Sequence, residues 1–215
     1  MIHREDYDVG VIDFIPETNA KIIIYNSLAQ AFNYPDSTLA SNLTSGHFVK
    51  ELLNILPAKG RVIIENLSSY TGGNQDEILL NLERDYTWMF FASKPRIAYL
   101  FGSVYVEGKL YQESTFAITR LYYETGLKLD ESFKLPPDHI AVELEFMAYL
   151  AFNEQEAIKG GNKENAKYAV EMQQKVLNNY LGSLAVNIGN RISDKARTPF
   201  YRTMGSLIVA LFNKP

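Results

Sequence analysis

The chain has 215 residues, 47% of them apolar and 21% charged, with a formal charge of −4. That length supports one well-buried core; the apolar fraction excludes a disordered chain, and the acidic balance argues against nucleic-acid binding, which needs a concentrated basic face. The absence of cysteine excludes disulfides, thiolate zinc sites, iron–sulfur clusters and a cysteine nucleophile; only three histidines occur, while 14 Tyr, 12 Phe and one Trp make the chain aromatic-rich.

The first residues, Met1-Ile-His-Arg-Glu-Asp-Tyr-Asp, are acidic and lack the apolar stretch of a secretory signal. From there the periodicity is helical almost throughout. Ala20, Ile23, Ile24, Ser27, Leu28, Ala31 and Phe32 mark one face of a first helix, which Pro35 ends. A second short helix is expected to start near Asp36. A third runs from a Ser45 cap through Phe48, Leu52 and Leu56 to Pro57, and a fourth spans about 58–70, before Gly72-Gly73. Residues 74–91 make a longer helix with Leu79, Leu82, Tyr86, Met89 and Phe90 as its stripe. Trp88 falls on the polar side with Asn81, Arg84 and Asp85, placed to pack beneath the neighbouring loop or to meet a partner.

Residues 92–112, broken by Pro95, Gly102 and Gly108, read as a long ordered loop, of a length that in compact domains tends to be functional. A helix over 113–125 is closed by Gly126. The stretch 127–137 is irregular, and Pro136-Pro137 forces an extended approach to a helix starting at Asp138 or His139. Ile140, Leu144, Met147 and Ala151 form its apolar side. Gly160-Gly161 separates it from a long helix bearing Val170, Leu177, Leu181, Leu184 and Ile188. The last helix has Thr198 as N-cap and Pro199 at its first position, with Phe200, Met204, Leu207, Ile208 and Leu211 as its stripe.

The expected fold is therefore all-α: a single globular domain of about nine to ten helices. An N-terminal lobe of about 1–126 and a C-terminal lobe of 138–215 would flank a hinge at 127–137. No apolar run approaches the ~18 residues of a membrane helix, so no integral membrane segment is expected, and a cytoplasmic location fits. Oligomeric state stays open between a monomer and a dimer swapped through that hinge.

Catalytic signatures are scarce. There is no GxxxxGK[ST] phosphate loop, no HExxH, no GxSxG and no GxGxxG after a strand. His3, His47 and His139 are too scattered for a ligand cluster, so no metal or other cofactor is expected. Glu143 and Glu145, two apart on a helix, leave it on different sides. Asp138-His139 is the one acid–base pair. Either Asp138 caps the helix beside a surface His139, or the two serve recognition or catalysis.

Three blocks of sequence carry a resemblance. The first is Tyr86-Thr-Trp-Met-Phe90 with a spaced Ser103-Val-Tyr105 and the aromatic loop between them. The second is Gly126 followed by Pro137-Asp138-His139-Ile-Ala-Val-Glu143-Leu-Glu145-Phe-Met147, and the third is Arg197-Thr-Pro-Phe-Tyr-Arg202. Over about 75–212 the chain resembles the TorD/DmsD-type family of redox-enzyme maturation chaperones, which includes NarJ-related members. The resemblance implies an all-α, non-enzymatic chaperone without a cofactor of its own. Its partner would be the twin-arginine signal peptide on the precursor of a molybdopterin oxidoreductase, held in the cytoplasm until the molybdenum cofactor is inserted. It also implies a peptide-binding surface at Tyr86, Met89, Phe90, Phe101, Ser103, Tyr105, Pro136, Pro137, Asp138 and His139. A carboxylate at Asp138 suits bidentate arginine pairing, and the aromatics suit the apolar part of such a peptide. The alternatives are a NarJ-like assembly chaperone for a non-exported membrane-bound reductase, and a weak nucleotide hydrolase using Asp138 and His139.

Overall fold

The computed structural model describes residues 17–128 and 135–213, and no strand occurs among them. The chain order is α1 (Thr18–Phe32), α2 (Ser37–Thr44), α3 (His47–Ile55) and α4 (Ala58–Ile64), the last continued by a 3-10 segment, Glu65–Tyr70. α5 (Gln75–Thr87) runs into a π segment, Trp88–Ala92, and is followed by the short α6 (Gly102–Val106) and by α7 (Glu113–Glu124). α8 (Ile140–Lys159) comes next. α9 (Lys163–Val176) and α10 (Gly182–Lys195) are joined through a π segment, Leu177–Leu181, into one rod, and α11 (Pro199–Phe212) closes the fold. All-α architecture is as the periodicity predicts, and the helix number differs only by short pieces.

Local chemistry explains most helix starts. Asp36, Asn74, Asn162 and Thr198 each accept a hydrogen bond from a backbone N–H of the first turn that follows. Two expected caps move. The residue just before α3 is Gly46 rather than Ser45, because the chain turns there at φ 74°, a left-handed conformation that suits glycine, and Ser45 Oγ accepts from His47 N at 3.4 Å from one position further out. α8 is capped by His139 and not by Asp138: His139 Nδ1 accepts from Ala141 N at 3.2 Å. On α5 the buried positions include Ile78, while Leu79 is only half-buried.

The hinge expected at 127–137 lies largely on 129–134, outside the described residues. The helices on either side of it share one continuous core reaching from Ala20 to Phe212. α1 lies along α8, α8 along α9, and α11 packs on α10 and α4. Between α1 and α8 a buried ion pair joins Lys21 Nζ to Glu154 Oε2 at 2.9 Å, and Gln173 of α9 donates to the same oxygen at 2.8 Å. α10 and α11 meet through glycines. A Cβ on Gly205 would sit 2.8 Å from Gly189 O and 2.7 Å from Ser193 N, so the two backbones pass closer than any larger residue permits.

Candidate functional site

The segment 136–139 and the loop before α6 form one unit. Pro136 is buried and accepts from His139 N at 3.1 Å, turning the chain toward α8. Gly102 N donates to Asp138 O at 3.0 Å and Ile140 N to Leu100 O at 2.8 Å, which makes an antiparallel bridge between Phe101 and His139. Their rings pack edge to face at 5.2 Å. The Asp138 carboxylate reaches across the same junction, where Oδ2 accepts from Ser103 N at 2.7 Å. Asp138 therefore fixes the start of α6 and leaves the capping of α8 to its neighbour.

This junction is nearly dry. Ser103, Asp138, His139 and Glu143 are each about 1% exposed or less. Ser103 Oγ, Asp138 Oδ1, His139 Nε2 and Glu143 Oε2 are buried without a hydrogen-bond partner. Natural proteins leave few such groups, so four at one junction mark it as a place where polar capacity is held in reserve. Burial pushes the His139 imidazole down to about 4, against the pull of the Asp138 carboxylate, so the ring is neutral near pH 7. Burial also pushes the Glu143 carboxyl well above the usual carboxylate range, and the Asp138 charge adds to it. Gly102 faces both acids: a Cβ there would lie 3.6 Å from Glu143 Oε1 and 3.8 Å from Asp138 Oδ2. From α7, Tyr122 donates to Pro137 O at 3.0 Å and closes the far side.

Glu143 is the member that sequence reading passed over. As predicted, it leaves α8 on a different side from the exposed Glu145, yet it falls between Ile140 and Met147 on the buried stripe. An acid at such a position is itself a signal, because burying a carboxylate is costly unless it is protonated or paired.

The other expected site residues form a second cluster. Tyr86, Met89 and Phe90 are buried on the α5 side of the core. Tyr86 donates to Phe32 O at 3.1 Å and packs on Phe90 at 4.8 Å and on Tyr201 of α11 at 6.1 Å. Phe101 and Ser103 belong to the Asp138 junction, whereas Tyr105 is half-buried and its hydroxyl accepts from Tyr99 N at 3.0 Å. Of the ten nominated residues, only Tyr105 and Pro137 are half-exposed; the others are buried. The structure thus brings Phe101, Ser103, Pro136, Pro137, Asp138 and His139 together at one junction, while Met89 O accepts from Ile97 N and Ala98 N of the loop that leads to it and Tyr86 and Phe90 pack against Tyr201.

Asp138 and His139 are each committed to a different backbone N–H, which is not the arrangement of a general acid–base couple. Trp88, half-buried, carries the Arg197 guanidinium 3.8 Å from its ring centroid. Beside it the buried Asp85 accepts from Arg197 N, Thr198 N and Thr198 Oγ1 and so anchors α11 to α5. The third block of the resemblance therefore has a structural role in this fold.

The family model described as nitrate reductase delta subunit matches residues 54–185. Chaperone protein TorD of Histophilus somni is 26% identical over 136 residues, 63% of this chain and 63% of that one. Chaperone protein TorD of Vibrio parahaemolyticus is 24% identical over 139 residues, 64% of this chain and 63% of its own length. The match thus spans less than two thirds of these curated relatives. Among solved structures, one described as a redox enzyme maturation protein from Archaeoglobus fulgidus has a TM-score of 0.42 at 20% identity, covering 72% of this chain and 93% of that one. The family match takes in α5 to α9 with the whole Asp138 junction and covers well over half of the sequence, so the chain belongs to the nitrate reductase delta subunit family, the NarJ-related group that its sequence resembles.

Proposed function

We propose that the protein is a cytoplasmic, non-enzymatic chaperone for a molybdenum-cofactor oxidoreductase, binding the twin-arginine signal peptide of the precursor and assisting cofactor insertion before export. Family membership and the TorD relatives support the chaperone reading. The observation that carries the peptide reading is the Asp138 carboxylate, with one oxygen held by Ser103 N and the other buried without a partner. A guanidinium offers five N–H donors in a planar fork, and an unpartnered carboxylate oxygen is what such a fork satisfies. In this reading Gly102 and Ser103 lift from Asp138 as the peptide arrives, and the aromatic loop supplies the apolar contact. The family's description as a nitrate reductase subunit favours one second reading, a NarJ-like assembly role on a non-exported, membrane-bound reductase.

Isothermal titration of the full chain with a synthetic twin-arginine signal peptide tests this. Micromolar or tighter binding is expected, weakened at least tenfold by Asp138→Asn, a shape-conserving change, with the circular dichroism spectrum unaltered. Equal binding after both peptide arginines are replaced by glutamine would overturn the arginine-recognition reading. Binding to the N-terminal segment of a non-exported reductase, without binding to twin-arginine peptides, would favour the NarJ-like role.

A further inference from the structure

Glu143 is the second carboxyl of the Asp138 junction. It is 1% exposed on the inner side of α8, and its Oε2 is buried without a hydrogen-bond partner. Among the described residues, the ionisable groups whose fields it shares come from three elements: Asp138 ahead of α8, Tyr122 of α7 and Tyr180 of the π segment before α10. His139 lies one turn earlier on its own helix, where its carbonyl accepts from Glu143 N at 3.1 Å. Arg120 and Glu124 act on Tyr180 from further out, and no Lys or Arg among the described residues acts on Glu143 itself. Burial and the Asp138 charge together keep it a neutral acid near pH 7.

Both acids face one point. A Cβ on Gly102 would lie 3.6 Å from Glu143 Oε1 and 3.8 Å from Asp138 Oδ2, with Asp138 Cβ next at 3.9 Å. A guanidinium carbon stands about 3.5–4 Å from an oxygen that its N–H groups reach, one C–N bond plus one charge-assisted hydrogen bond. The space beside Gly102 is therefore where a guanidinium meets both carboxyls once Gly102 and Ser103 lift. Without peptide, Ser103 N supplies the donor to Asp138 Oδ2 at 2.7 Å. No group of three or more His, Cys, Asp or Glu among the described residues is placed to hold a metal ion, which leaves an organic cation as the ligand class.

We propose that Glu143 is the receptor for the second arginine of a paired-arginine segment, protonated without peptide and ionised when that second guanidinium enters. Charge balance carries the argument. A first guanidinium is neutralised by Asp138 and leaves Glu143 a neutral acid. A second one brought alongside would be buried without a counter-ion, which is costly. Loss of the Glu143 proton to solvent restores the balance, two cations against two carboxylates. An opposite charge within a few ångströms favours that ionisation. The junction thereby counts arginines: one meets a preformed anion, and the second meets an anion that its own arrival creates. This deepens the signal-peptide reading and rests on it for the source of the arginines.

The test is isothermal titration of the full chain at pH 7 in two buffers of different ionisation enthalpy, with an N-terminally blocked, histidine-free signal peptide. About one proton is expected to leave per paired-arginine peptide bound, and none for the same peptide with one arginine changed to glutamine. Affinity for the pair should rise between pH 6 and pH 8, by up to about tenfold per pH unit, and stay flat in Glu143→Gln. That variant should also lose most of a preference of at least tenfold for the pair over the single arginine. Gly102→Ala adds its Cβ at ordinary contact distances, so it folds, fills the space and weakens both peptides at least tenfold. The proton count on the unsubstituted chain needs no variant. No proton released by the pair, equal release by the single-arginine peptide, an undiminished preference in Glu143→Gln, or full affinity in Gly102→Ala would overturn the proposal. Tight binding that Asp138→Asn weakens, without proton release, removes the role of Glu143 and leaves the signal-peptide reading standing. Equal binding and proton release with a scrambled peptide that keeps two adjacent arginines does the reverse. Binding of neither peptide removes both.

Discussion

Asp85 makes the sharpest test of how this fold is held together. Its carboxylate is 1% exposed and receives Arg197 N at 3.0 Å, Thr198 N at 2.7 Å and Thr198 Oγ1 at 2.7 Å. Thr198 in turn caps α11 by accepting from Tyr201 N at 3.4 Å, so one acid on α5 organises the whole start of the last helix. A hydrogen bond to a charged group contributes ~1.5–3 kcal/mol, and three of them are not additive. Arg197 is exposed and Thr198 half-buried, so water recovers part of the loss once the acid is gone. Asp85→Ala should therefore cost ~3–4 kcal/mol, and Asp85→Asn, which keeps one acceptor oxygen, roughly 2 kcal/mol. For a chain of this size that corresponds to a fall in Tm of about 6–15 °C for the alanine variant. Urea denaturation followed by circular dichroism at 222 nm measures both. A loss below about 1 kcal/mol in both variants would refute the reasoning, because it would mean that α11 starts without this anchor.

Further outcomes follow from the buried acids and the close helix crossing. His139 is held near 4 against 6.5 in an unfolded chain, so the folded state binds its proton more weakly and stability falls as pH drops from about 6.5 toward 4. The full shift corresponds to ~3 kcal/mol, read as a steep acid limb in Tm against pH that His139→Gln flattens. Glu143 has the opposite sign: its raised pKa makes its contribution complete below about 4.5 and progressively lost as pH rises above that. Glu143→Gln should therefore raise Tm at pH 8 and leave it unchanged at pH 4; a lowered Tm at pH 8 would show that the carboxylate is ionised in the folded protein. At Gly205 alanine gains ~1 kcal/mol of helix propensity but collides with the α10 backbone. A net loss of ~1–3 kcal/mol is expected, and a Tm equal to or above that of the parent would show that α10 and α11 are not in such close contact.

Helices were legible in the sequence wherever a period, a cap and a stop coincided. Asn74, Thr198, Gly126 and Pro199 mark their ends chemically, and the stripes of α5, α8 and α11 follow from spacing alone. The cap that moved from Asp138 to His139 did so for a reason local sequence does not carry. Asp138 was drawn to Ser103 N by a loop thirty-five residues away in sequence, which left His139 to cap α8. The Asp138 block was visible as a motif, but its burial was not. Tyrosine and phenylalanine serve a core and a peptide groove equally well, and only tertiary packing shows that Tyr86, Phe90 and Tyr201 face one another.

The two backbone bonds that clasp Leu100 and Gly102 to Ile140 and Asp138 give the loop and the start of α8 a common fate. Neither bond opens alone without leaving a buried donor or acceptor unmet, so the pair breaks as a cooperative unit. The amides of Gly102, Ser103 and Ile140 should consequently exchange with solvent at a shared rate. Whatever draws Asp138 outward also frays the first turn of α8, and a local event at one carboxylate is thereby felt along a twenty-residue helix that packs against both α1 and α9.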